Sequence, residues 1–200
     1  KAMQECDKYD KTFIHPFDDK KVIAGQATLF LEIINQFKDH LDYLFIPIGG
    51  GGLISGALNV FKQLSPNTKI IGIEPKGAPS MSKSINKNKL ITLNRIDGFV
   101  DGVAVKKVGN YSFDYCKEHL DDLIILDENE ICNSILELKS YENIITEPAG
   151  AMSSAALRHY RHKIINKNIG CIICGANNDN SRMPEITKRA NIWKSNNPKN

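Results

Sequence analysis

Two hundred residues, 42% of them hydrophobic and 24% charged, suffice for one large or two small domains with a substantial buried core. The 26 basic side chains barely exceed the 23 acidic ones, for a formal charge of +3, and they alternate with acids, as in Asp18-Asp19-Lys20-Lys21, which excludes a phosphate-tracking basic stripe and so a nucleic-acid partner. The longest apolar runs, 44–48 and 169–174, are strand-sized, which excludes a membrane-spanning helix.

The opening residues Lys1-Ala2-Met3-Gln4-Glu5 hold no apolar stretch and no small-residue cleavage site, so no secretory signal is expected. Without Met at position 1, the sequence reads as one whose beginning is missing. The five cysteines are odd in number and mostly set in apolar surroundings, which predicts free thiols in the cytoplasm, or in an organelle matrix if the source is eukaryotic.

In chain order, the first predicted strand is 12–15, followed by a helix whose stripe is Phe30, Ile33, Ile34, Phe37 and Leu41. A strand at 43–48 leads through four glycines into a helix striped by Ile54, Ala57, Leu58 and Phe61, and the next strand is 69–74. After a strand at 123–126, Asp127 with Glu130 three residues on signals a capping box for the helix carrying Ile131, Ile135 and Leu138. Pro148 suits the first turn of the following helix, with Met152, Ala155, Ala156 and Tyr160 on one face, and a last strand is read at 169–174. Unbroken apolar strands alternating with amphipathic helices predict an α/β fold, a mostly parallel sheet with helices on both faces and each stripe facing it. One domain spans 1–193, and 194–200 reads as a frayed tail.

The most informative stretch is Gly49-Gly50-Gly51-Gly52-Leu53, between a strand and a helix. Bare amides beside a helix N-terminus favour an anion such as phosphate. The Lys-Ser/Thr of a nucleotide P-loop is absent, since Ala57-Leu58 follows Gly56. The dinucleotide fingerprint fails too, because Gly51 and Gly56 would put Leu53 at its middle glycine; Glu74, about twenty residues on where a ribose-binding acid would sit, keeps that reading alive.

Seven segments then occur in the order seen in threonine dehydratases: Thr12-Phe13-Ile14-His15-Pro16-Phe17-Asp18, Val22-Ile23-Ala24-Gly25-Gln26-Ala27-Thr28, the glycine loop, Ile73-Glu74-Pro75, residues 97–105, Glu147-Pro148-Ala149-Gly150-Ala151, and Cys174-Gly175-Ala176-Asn177-Asn178. The chain resembles these pyridoxal-phosphate ammonia-lyases of the tryptophan-synthase β-like fold along nearly its whole length, and 97–122 is closer to the biosynthetic branch than to the catabolic one or to serine racemase. The resemblance implies a lyase that converts threonine (or serine) to an oxo acid and ammonia, for threonine 2-oxobutanoate, on the way to isoleucine. It implies a small amino-acid substrate and a homo-oligomer when intact. It implies that Gly49, Gly50, Gly51, Gly52 and Leu53 cradle the cofactor phosphate, that Gly102 lies beside the cofactor ring, that Cys174 faces the pyridine nitrogen, and that Glu147 stands near the ring. Read alone, Glu147 is as well explained as an acid at a helix start.

Departures matter as well. Ala27 replaces a family glycine, and Ser80 stands where relatives with a divalent-cation site carry an acid, so no divalent metal is predicted, while a monovalent cation stays open. The family's Schiff-base lysine and its carboxylate-binding loop have no counterpart here, so the chain alone is expected to be inactive. A truncated, non-catalytic domain is therefore a third reading beside the lyase and the dinucleotide module. Cys171 and Cys174 form a Cys-x-x-Cys spacing, yet on a strand they point to opposite faces. His15 reads as a hydrogen-bonded structural residue, His159 and His162 as solvated, and Asp121-Asp122 as a helix end and strand start.

Overall fold

The computed structural model describes residues 2–198. Four strands, β1 (Tyr43–Pro47), β2 (Lys69–Pro75), β3 (Asp122–Leu126) and β4 (Ile169–Cys171), form a parallel sheet in the order β3-β2-β1-β4. The helices are α1 (Ala2–Tyr9), α2 (Lys20–Gln36), α3 (Gly52–Leu64), α4 (Ser80–Asn86), α5 (Asn110–His119), α6 (Glu128–Tyr141), α7 (Pro148–Tyr160) and α8 (Met183–Asn196). The predicted α/β class and parallel sheet are thus observed.

Strand alternation sorts the apolar side chains into two cores. Phe45, Ile71 and Ile73 point towards α6, α7 and α8, while Leu44, Ile46, Ile48 and Ile70 point towards α3 and α5. Every one of these strand residues is almost wholly buried, as a sheet covered on both faces requires. The Ser153 hydroxyl donates to the Phe45 carbonyl at 2.9 Å and ties α7 to β1.

Several expectations change. Residues 12–15 are not a strand: they have no strand neighbour among the described residues, Phe13 and Ile14 are exposed, and the His15 ring folds the chain back into a turn. The last strand stops at Cys171, with one further ladder bond from Ile172 N to Phe45 O. The α2 stripe faces α3 rather than the sheet, Phe30 meeting Phe61 edge-on at 6.2 Å, and α2 ends before Phe37 and Leu41. Asp127 caps α6 through Asn129 N at 2.9 Å, but Glu130 does not complete the capping box; its carboxylate reaches His159 Nε2 at 3.0 Å instead, so His159 is not simply solvated. Of the expected tail at 194–200, residues 194–196 continue α8, and 199–200 lie outside the described residues.

Candidate active site

β1 runs out at its carboxyl end into Ile48, whose amide still donates to Ile73 O at 2.7 Å, and the four glycines follow. Gly51 is the N-cap of α3 with φ +96°, a conformation L side chains rarely adopt, and both the amide and the hydroxyl of Ser55 return to its carbonyl. Among the described residues, none of the amides of Gly49, Gly50, Gly51, Gly52 or Leu53 has an acceptor. Five bare N–H groups at the start of a thirteen-residue helix make a concentrated positive field without a cationic side chain.

Close neighbours explain why the loop is built from glycine. A Cβ on Gly50 would fall 2.1 Å from Phe17 Cγ, one on Gly51 2.5 Å from Ser112 Cβ, and one on Gly49 3.0 Å from Val103 Cα. Val103 belongs to a single helical turn, Asp101–Val103, that forms the opposite wall. Two arginines hold this turn: Arg189 and Arg182 lie 4.1 and 5.1 Å from the Phe99 ring, and Arg182 Nη2 donates to the Phe99 carbonyl at 2.6 Å.

Glu147 is the N-cap of α7, yet its side chain does not cap the helix. Its Oε2 accepts from Asn177 N at 3.2 Å, and its amide donates to Gly175 O at 3.1 Å. A Cβ on Gly102 would stand 2.9 Å from Glu147 Oε1, and one on Gly175 (φ +86°) 2.4 Å from the Glu147 carboxyl. Both glycines therefore make room for one carboxylate. Cys174 precedes Gly175; burial, and then the nearby Glu147, raise its thiol above the ordinary range, which favours the protonated form.

The fold brings all eight predicted residues to one cavity of about 330 Å3: Gly49, Gly50, Gly51, Gly52, Leu53, Gly102, Glu147 and Cys174. This follows from β1 and β4 being parallel neighbours, so that the loop after each opens on the same side. Sequence reading missed Phe17, Gln26 and Gly175, which also line it. For Phe17 a signal existed, since four adjacent glycines imply a bulky neighbour against the backbone.

Other candidates separate from the cavity. Glu74 is fully buried, and its two carboxylate oxygens accept from Met81 N at 2.7 Å and Ser82 N at 2.8 Å, at the start of α4. A ribose hydroxyl cannot reach it, which removes the support for a dinucleotide site. Cys171 turns its sulfur to the Ser153 carbonyl at 3.7 Å, away from Cys174. Ala27 lies inside right-handed α2, with its amide 2.8 Å from where a Gly56 Cβ would be, so the departure from glycine leaves the local backbone unstrained. Asp121 takes Lys62 and Lys69, and Asp122 takes the Tyr160 hydroxyl, which binds β3 to its surroundings.

Residues 1–175 match the family described as pyridoxal-phosphate dependent enzymes. The chain belongs to that family. Among curated members, it is 49% identical over 186 residues to the L-threonine dehydratase biosynthetic IlvA of Halalkalibacterium halodurans, covering 93% of this chain and 45% of that protein. It is 45% identical over 192 residues to the protein of the same name in Bacillus subtilis, covering 96% and 46%. Among solved structures, the processed form of threonine deaminase isoform 2 from Solanum lycopersicum superposes with a TM-score of 0.91 at 41% identity, over 96% of this chain and 53% of that one. The chain thus spans about half the length of these family members.

Proposed function

We propose that this chain is the phosphate-binding part of a pyridoxal-phosphate ammonia-lyase acting on L-threonine or L-serine. The observation that carries the reading is the row of five unpartnered amides, Gly49 to Leu53, facing a cavity shared with Cys174. Such a row, at a helix N-terminus, fits a phosphate dianion. Similarity to proteins named threonine dehydratase and threonine deaminase supports the choice of substrate.

When bound, the cofactor withdraws electrons from the Cα of an attached amino acid. The chain's own residues set how strongly. Cys174, protonated and neutral, supplies no charge to keep a pyridine nitrogen protonated, which favours prompt loss of a β-hydroxyl over transamination. Gly102 leaves its backbone open to a flat ring, and Glu147 presents Oε1, which has no hydrogen-bond partner among the described residues, at the same wall.

No lysine or arginine lines the cavity among the described residues. The proposal therefore assigns the amine that anchors the cofactor covalently to polypeptide outside these 200 residues, and expects the chain alone to turn over nothing. It further places the complete protein in the cytoplasm or an organelle matrix as a homo-oligomer, and admits a monovalent rather than a divalent cation, because Glu74 is already engaged by α4 and Ser80 is no acid.

Titration with inorganic phosphate, followed through backbone amide shifts, tests the cradle. The amides of Gly49, Gly50, Gly51, Gly52 and Leu53 should move first. Shifts confined to other surfaces would sink the reading.

A further inference from the structure

His15 lies in the turn between α1 and α2, and its Nδ1 accepts a hydrogen bond from Asp18 N at 2.9 Å, with Phe17 N at 3.4 Å. The imidazole stands edge-on between Phe13 and Phe17, at 5.9 and 4.6 Å. The turn places two groups. Phe17 is set against the glycine loop, where a Cβ on Gly52 would meet its backbone at 3.2 Å and one on Gly50 its ring at 2.1 Å. Asp18 is set at the start of α5, accepting from Asn110 N at 2.9 Å, Asn110 Nδ2 at 2.8 Å and Tyr111 N at 3.1 Å. From that side α5 grips the same loop, through Gly109 N donating to Gly50 O at 2.9 Å and Ser112 beneath Gly51. The row of amides is clamped between Phe17 and α5, and one turn fixes both.

We propose that His15 is a positioning residue for the glycine loop: its unprotonated Nδ1 holds the 15–18 turn that seats Phe17 on Gly50 and Gly52. The assignment rests on reading that loop as an anion cradle. A ring nitrogen that accepts carries no proton, so Nδ1 is the bare nitrogen of the ring and the acceptor that closes the turn. Asp18, in the same turn, is a charged neighbour of the ring. From α5 come Asn110 and Tyr111, engaged by that carboxylate, and from the cap of α2 comes Asp19, engaged by Lys21 N and Val22 N.

Sulfate is the probe, because it stays a dianion where phosphate would titrate. In the full 200-residue chain, His15→Ala should weaken sulfate roughly fivefold, the equivalent of one net hydrogen bond. His15→Asn should restore it, since the Asn Oδ1 stands near the Nδ1 position and accepts from amides two and three residues on. An Ala variant that binds sulfate like the parent overturns the proposal. Amide shifts of Gly50 and Gly52, with hydrogen exchange at Asp18 N, read the turn without any anion: they should change in the Ala variant and return in the Asn variant, and unchanged values overturn the proposal. Should sulfate bind nowhere on the parent while those amides respond as stated, the anion cradle fails and the positioning of the loop by His15 stands.

Discussion

Phe17 lies so close over Gly50 that a Cβ built on the glycine would fall 2.1 Å from its Cγ. Gly50→Ala must push the ring out of a turn that Asp18 and His15 hold in place. The variant should lose about 1–3 kcal/mol, the usual cost of overpacking, and bind phosphate less tightly. Urea unfolding midpoints check the first effect and amide titration the second; an unchanged midpoint would mean that Phe17 swings aside freely.

Gly51→Ala combines two faults, a φ of +96° and a contact of 2.5 Å with Ser112 Cβ. Ser112→Gly removes the contact but not the backbone strain. The double variant should therefore recover only part of the single variant's loss, leaving roughly 1–3 kcal/mol for the backbone. Full recovery in thermal or urea unfolding would assign the whole effect to the side-chain clash.

Glu74 gives the fold a pH signature. Burial raises its pKa from the ordinary 4.5 to about 7, against the opposing pull of amides including those of Ser82 and Met81. Between those two values the folded chain holds a proton that the unfolded chain releases, so this residue's contribution to stability falls as the pH rises through that window. The size is on the order of a few kcal/mol. Glu74→Gln should flatten this segment of the stability curve, and a variant whose curve parallels the parent's would refute the assignment.

On the lyase reading proposed above, in a protein supplied with an anchoring amine, Cys174→Ser should keep much of any threonine turnover, because a hydroxyl is as neutral as the thiol. Cys174→Asp should slow it or divert it to transamination, since a carboxylate would hold a proton on the pyridine nitrogen. Equal 2-oxobutanoate production by the two variants would remove the role proposed for Cys174.

The parallel sheet was legible because its two central strands are buried on both faces and therefore read as nearly unbroken apolar runs, at 43–48 and 69–74. The glycine loop was legible because backbone exposure requires glycine, and the pattern survives without tertiary information. The 12–15 segment failed for a matching reason: Thr12, Phe13 and Ile14 have strand-like character, but partners, not propensity, make a strand, and here the His15 turn prevails. The ribose alternative for Glu74 stayed open because spacing alone says nothing of α4, whose first amides hold its carboxylate. Phe17 and Gly175 joined the cavity unseen, since their roles depend on atoms far away in sequence, the Gly50 backbone and the Glu147 carboxyl.

The glycine loop, the Asp101–Val103 turn, Glu147 and Cys174 bound one cavity beyond the carboxyl ends of the strands, whereas the largely exposed 161–166 stretch connects the end of α7 to the start of β4 at the other end. Chain length is consequently a free variable at one end of the sheet and a fixed one at the other. A fusion or a new pair of termini placed between His162 and Asn166 would leave the row of amides in register with α3, while a single residue inserted between Pro47 and Gly52 would turn that row away from Cys174.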